Sequence, residues 1–231
     1  MTRQTAAAHN SEQIRNRKMK PACIALITAL ISLTSACSTP DRSRNIGDPA
    51  VSGRTIAIQV CANCHGANGN STSPNFPKLA GQQETYFIAQ LNEFKSHGRI
   101  DPAGFEYMWG LSSRLNDKQI AELAKYYAEQ KPFPDEAGDP ARANQGKRIF
   151  TSGITDKGVP ACASCHGAEA NGNATFPRLA GQHADYIVKQ LKIFQRTNER
   201  PAGAIMKDVT HDLSDSDMTA VAAYVQALAS D

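Results

Sequence analysis

The order of apolar and polar positions divides the chain into a leader and two stretches of helical periodicity. From Gln82 to Ser96, apolar Phe87, Ile88, Leu91 and Phe94 recur at the spacing of one helix face. A second helix is predicted from Asn116-Asp117-Lys118-Gln119, a sequence with the form of a capping box. Ile120, Leu123, Ala124 and Tyr127 mark its buried stripe. The same pattern returns later, where Ser214-Asp215-Ser216-Asp217 opens a helix with Met218, Val221, Ala222 and Val225 facing inward. Shorter helices are predicted around residues 53–60 and 143–150. No run alternates as a half-buried strand would, so the expected fold class is all-α.

The pattern returns because the sequence is written twice. Cys61-Ala62-Asn63-Cys64-His65-Gly66-Ala67 is answered by Cys162-Ala163-Ser164-Cys165-His166-Gly167-Ala168. Phe76-Pro77-Lys78-Leu79-Ala80-Gly81-Gln82 is answered by Phe176-Pro177-Arg178-Leu179-Ala180-Gly181-Gln182. The match extends through Tyr86 and Tyr186, Gln90-Leu91 and Gln190-Leu191, and Phe94 and Phe194, and resumes at Pro102-Ala103-Gly104 and Pro201-Ala202-Gly203. A repeat this long means tandem domains, because the units of solenoids are usually shorter. We expect domains at 47–131 and 142–231, joined by a Pro-, Gly- and charge-rich linker at 132–141.

Upstream of the repeats lies an apolar run from Ala22 to Leu33, preceded by Arg3, Arg15, Arg17, Lys18 and Lys20 and followed by small residues. These are the three parts of a secretory signal. The run falls short of the roughly 20 apolar residues of a comfortable bilayer span, which makes a retained anchor the weaker reading. Met19 is an alternative start. Leu33-Thr34-Ser35-Ala36-Cys37 resembles a bacterial lipoprotein signal, except that Thr34 stands where such signals prefer Leu. Ordinary cleavage near Ala36 competes with it. The expectation is a signal at 1–37, a polar tether at 38–46 and, on the lipoprotein reading, membrane attachment through a lipidated Cys37.

Removing the leader changes the charge balance. The full chain carries 25 basic and 22 acidic residues, and five of the basic and one of the acidic lie before Cys37. The remainder has 20 basic against 21 acidic residues. No basic stripe of the kind nucleic acid requires is visible, and nucleic acid is not an expected partner.

Six cysteines in an exported chain would first suggest disulfides. Cys23 and Cys37 belong to the leader region, however, and the other four form two Cys-x-x-Cys-His motifs, which is the attachment pattern of c-type haem. Two thiols on one turn add to the two vinyl groups of the porphyrin, and the adjacent His lies under the iron. Cys61, Cys64, Cys162 and Cys165 are therefore the expected attachment residues, with His65 and His166 as proximal ligands to two covalently bound haem c groups. Zinc would gather four such ligands in one site, and redox thiol pairs usually sit in a βαβ setting. Neither suits two separate motifs in helical domains.

The second axial ligands are read from register. Met108 and Met206 match each other, each shortly after a Pro-Ala-Gly turn in a stretch without strong secondary structure. Met218 matches Ile120 inside a helix and is read as core. His97, His183 and His211 have no partner in the other repeat and are read as solvated or hydrogen-bonded side chains. His/Met coordination raises the reduction potential and leaves no open position, which favours electron transfer over catalysis. Two readings stand for Lys78 and Arg178, partners to haem propionates or solvated charges, while Gln82 and Gln182 are expected to start helices.

With these residues in place, the chain resembles the cytochrome c4 family of two-domain bacterial cytochromes. The two Cys-x-x-Cys-His-Gly-Ala motifs, Asn68-Gly69-Asn70 and Asn171-Gly172-Asn173, both Phe-Pro-Lys/Arg-Leu-Ala-Gly-Gln runs and the paired methionines carry the resemblance. It implies two cytochrome c folds packed by a pseudo-twofold relation, with haem propionates near the interface. It also implies a periplasmic electron carrier, not an enzyme, taking electrons from a quinol-oxidising complex or a soluble donor and passing them to a terminal oxidase. Three rivals remain: a di-haem peroxidase, a thiosulfate-oxidising cytochrome, and a cytochrome subunit dedicated to a dehydrogenase or oxidase. The enzyme readings are disfavoured because the four cysteines are committed to porphyrin and each domain offers a Met.

Overall fold

A computed structural model describes residues 42–136 and 138–228. The leader, with Met19 and Cys37, lies outside the described residues. In the first repeat, α1 (Gly53–Ile56) runs through a π-helical turn (Ala57–Cys61) into α2 (Ala62–His65), followed by α3 (Glu84–Lys95), a second π-helical turn (Gly104–Met108), α4 (Trp109–Ser112) and α5 (Asp117–Ala128). The second repeat has α6 (Pro140–Ser152), a 3₁₀ turn (Thr155–Lys157), α7 (Ala163–His166), α8 (Ala184–Arg196), another 3₁₀ turn (Pro201–Gly203), α9 (Ile205–Thr210) and α10 (Asp215–Gln226). Among the described residues, extended pairing is limited to two isolated bridges, Ile154 with Val159 and Asn173 with Phe176. None of the described helices is long and apolar enough to cross a membrane.

Both closing helices begin where the polar pattern predicts. Asn116 Oδ1 accepts from the Gln119 amide at 2.9 Å, and Gln119 Oε1 accepts from the Asn116 amide at 3.1 Å. Ser214 and Asp217 make the same reciprocal pair at 3.1 and 3.0 Å. Each box satisfies amide donors that the first helical turn would otherwise leave bare. Behind the caps, Ile120, Leu123, Ala124 and Tyr127 are buried in one core, and Met218, Val221, Ala222 and Val225 in another.

In each repeat the opening helix crosses the closing helix at backbone contact, α1 on α5 and α6 on α10. Glycine permits this. A Cβ on Gly53 would lie 2.5 Å from Glu122 Cβ, and one on Gly146 would lie 1.9 Å from the Ala220 carbonyl oxygen. The longer opening helix of the second repeat starts inside the stretch expected to be linker. Pro140 at its first position is pre-set for helix, and Asp139 caps it by accepting from the Ala141 amide at 3.0 Å. Ile46, the last residue of the expected tether, packs against the first core.

The repeats meet through a reciprocal clasp. Gln82 accepts from the Arg178 amide at 2.8 Å and donates to its carbonyl at 3.2 Å. Gln182 does the same to Lys78, at 2.8 and 2.9 Å. This exchange has the form a twofold axis would generate. The expectation that these glutamines start helices is corrected, since the caps of α3 and α8 are Gln83 and His183. Both glutamines are buried, and a buried amide side chain is best satisfied by a two-point bond to a backbone amide.

A second cluster joins the repeats. Arg99 and Arg200 each lie over a phenylalanine ring of their own repeat, Phe94 and Phe194, at 4.5 Å. Both guanidinium groups reach Gln90 Oε1, at 2.8 Å from each. Both also reach Gln190 Oε1, at 3.4 and 2.6 Å. Fully buried Asp101 takes two bonds from Arg99, at 3.0 and 2.9 Å.

Candidate haem sites

Cys61, Cys64 and His65 stand at positions i, i+3 and i+4 of continuous helical backbone, and Cys162, Cys165 and His166 have the same spacing, with Cys162 as the N-cap of α7 in right-handed helical conformation. That spacing puts the three side chains on one helix face. Gly66 and Gly167 end the turns with φ of 77° and 83°, a conformation that favours glycine, so the chain leaves the motif sharply. None of these four cysteines is engaged in a disulfide. Among the described residues, no three His, Cys, Asp or Glu side chains converge as a zinc site would require.

The two imidazoles are held alike. His65 Nδ1 is 2.8 Å from the Pro77 carbonyl oxygen, and His166 Nδ1 is 2.9 Å from that of Pro177. A carbonyl can only accept, so Nδ1 carries the proton and Nε2 keeps its lone pair for a metal. Burial pushes both imidazoles below the ordinary histidine range, against the opposing effect of the proline carbonyls. Neutral, oriented imidazole is the form that iron takes. Phe76 and Phe176 meet the two imidazoles edge-on, with centroids at 6.1 and 6.2 Å. The Phe-Pro run thus sets both the ring wall and the acceptor that fixes the tautomer.

Met108 and Met206 do not lie in irregular backbone, as the sequence suggested. Met108 closes the π-helical turn and Met206 lies in α9. Their carbonyls nevertheless accept equivalent bonds, from Ser112 Oγ and Thr210 Oγ1, each at 2.7 Å. Met108 packs against the first core alongside Cys61. Met218 is fully buried as core.

The surface-charge reading of Lys78 and Arg178 is overturned, because both are buried. Lys78 Nζ bonds the Phe133 carbonyl at 2.8 Å and Asp135 at 2.5 Å, and Arg178 bonds Asn171 at 2.5 Å. His183, also buried, holds the other Asp135 oxygen at 2.7 Å. His97 is exposed and stacks on Trp109 at 4.2 Å, and His211 bonds the Asp208 carbonyl at 2.6 Å. Sequence reasoning missed the glutamine clasp and the arginine cluster. The signal was present: polar Gln82 and Gln90 recur unchanged as Gln182 and Gln190, which suits a contact between copies better than solvated surface.

Cysteine pairs one turn apart, outside any disulfide, and neutral, oriented imidazoles fit haem c, and fold and sites together define a two-domain c-type cytochrome. The sequence model for cytochrome c matches the chain twice, over residues 50–130 and 143–229. The chain belongs to the cytochrome c4 family, whose members are di-haem electron carriers, and it accordingly carries two covalently bound haem c groups. It is 39% identical over 208 residues to cytochrome c4 of Stutzerimonas stutzeri, spanning 86% of this chain and 98% of the relative. With cytochrome c4 of Pseudomonas aeruginosa it shares 40% identity over the same fractions. It is 36% identical to a thiosulfate dehydrogenase electron acceptor of Thiomonas intermedia, over 72% of this chain and 77% of the relative. The crystal structure of reduced cytochrome c4 from Pseudomonas stutzeri superposes with a TM-score of 0.69 and 41% identity, covering 76% of this chain and 96% of that one.

Proposed function

We propose that this protein is a periplasmic shuttle that carries single electrons along a respiratory chain to a terminal oxidase, from a quinol-oxidising complex or a soluble donor. The observation that carries this reading is the equivalence of the two sites. In each, a neutral imidazole is fixed through Nδ1 to a proline carbonyl, and a methionine stands at the same register. Haem supplies the redox chemistry, its iron gaining or losing one electron. Cys61 and Cys64, and Cys162 and Cys165, anchor the porphyrin edges. His65 and His166 would hold the iron through Nε2, and Met108 and Met206 would hold it through sulfur; with both held, peroxide or thiosulfate would find no open position. Buried cores lie behind each motif, and burial together with Met ligation would raise the potentials.

Charge gives little guidance to partners. Residues 47–133 carry eight acidic and eight basic groups, and residues 134–231 carry twelve and ten. Neither half steers strongly at long range, so docking rests on short-range contacts. The likeness to a thiosulfate dehydrogenase electron acceptor favours one second reading, a carrier dedicated to a dehydrogenase. Stopped-flow mixing of the reduced holoprotein with solubilised terminal oxidase separates the two. Rapid oxidation supports the shuttle. Electron uptake only from a co-purifying dehydrogenase, with none passed to the oxidase, supports the second reading. The lipidation of Cys37 is part of the proposal too, and an unmodified N-terminus in the intact mass of the mature protein would remove it.

A further inference from the structure

Each proximal imidazole is bonded to a peptide group whose other side is held by the opposite repeat. The Pro77 carbonyl, which accepts from His65 Nδ1 at 2.8 Å, belongs to the same peptide unit as the Lys78 amide. That amide donates to Gln182 Oε1 at 2.8 Å. The second repeat mirrors this. The Pro177 carbonyl accepts from His166 Nδ1 at 2.9 Å, and the Arg178 amide of the same unit donates to Gln82 Oε1 at 2.8 Å. Which end of each glutamine is oxygen follows from its partners, since a backbone N–H can only donate and a carbonyl can only accept. Each Oε1 is held further by the next backbone amide, that of Gln83 at 3.0 Å and that of His183 at 3.2 Å. Both histidines, both glutamines, Lys78 and Arg178 are all buried.

We infer that Gln182 is a positioning residue for His65, and Gln82 for His166, so that each repeat tunes the redox potential of the haem in the other. The inference rests on the reading of His65 and His166 as proximal ligands. Hydrogen bonds in a chain polarise one another inside a low-dielectric interior. A bond accepted from the N–H of a peptide makes the carbonyl of that peptide a stronger acceptor. A stronger acceptor draws the Nδ1 proton away from the ring and makes Nε2 a more basic ligand. A more basic ligand favours the oxidised iron, so each glutamine holds the opposite haem's potential down. Such strengthening is about 10–30% per bond, and the effect is therefore a graded shift of potential and not a change of ligand. The clasp that joins the repeats is in this way a part of both sites.

The test is Gln182→Leu in the full-length holoprotein, which leaves the other half of the clasp intact. With heavy nitrogen in the histidines, NMR of the reduced protein should show the Nδ1–H proton of His65 moving upfield and that of His166 staying fixed. A redox titration followed through the same two resonances, each lost when its own iron is oxidised, should show the His65 haem's potential raised and the other held. Gln82→Leu should act the opposite way, on His166 alone. Gln182→Glu keeps an oxygen for the Lys78 amide and should show neither the upfield shift nor the rise. A change at the substituted repeat's own haem, at both haems or at neither would overturn the inference, as would the same upfield shift in the glutamate variant. The Nε2 resonances of the unsubstituted protein check the underlying reading separately. Iron-bound Nε2 in both His65 and His166 upholds that reading whatever the variants do, whereas unbound Nε2 overturns the reading and the inference with it.

Discussion

Single side chains set the chemistry of each site. His65 and His166 are proposed as ligands because a proline carbonyl fixes which nitrogen is free, and Met108 and Met206 are proposed because they share a register. Met206→Ala should open one iron and lower that haem's potential while the other holds, as a redox titration of the variant would show. An unaltered titration would remove Met206 as a ligand. Asp101 gives a pH prediction. Burial alone would raise its carboxyl, but the Arg99 bonds and the charges of Arg99 and Arg200 outweigh that and hold it below its ordinary 3.8. A carboxyl depressed by folding stabilises fully above its unfolded value, and that stability is lost as pH falls through the folded one. Asp101→Asn should therefore lose on the order of 3 kcal/mol at neutral pH and show a flatter acid limb in urea unfolding followed across pH.

At the scale of elements, local signals explain what the sequence reveals. The closing helices were legible because capping box and apolar stripe are both written within a few turns, and the structure places Ile120 and Met218 in equivalent core positions. Removing either cap, by Asn116→Ala or Ser214→Ala, should cost about 1 kcal/mol, measurable as a lowered denaturant midpoint with unchanged slope. The turns around Met108 and Met206 were not legible as helix. Each is too short to show a period, and both follow Pro-Ala-Gly, which reads as a break. Packing on the long helices, α4 on α3 and α9 on α8, accompanies their helical form. α6 carried its own start signal in Asp139-Pro140, which was absorbed into the linker because its surroundings are rich in turn residues.

At the scale of the molecule, the interface was hidden for a different reason. Gln82 and Gln182 look like ordinary polar residues until the other repeat stands opposite, and their bonds span about a hundred positions of chain. The attachment motifs, by contrast, were legible whole, since their chemistry needs adjacent residues. The clasp contributes four hydrogen bonds between repeats, each worth about 1 kcal/mol net. Replacing both glutamines by alanine should uncouple the repeats, so that calorimetric unfolding separates into two transitions where the native protein shows one. A single unshifted transition would mean that the other contacts between the repeats, the arginine cluster among them, couple them without the clasp.

The proposed function requires two closed His/Met haems, and spectroscopic redox titration of protein matured in a haem-attaching host tests it most directly. The account predicts two one-electron steps at positive potential, with the sulfur-to-iron charge-transfer band in the oxidised state. A low-potential or high-spin component would contradict it, because one iron would then lack its methionine.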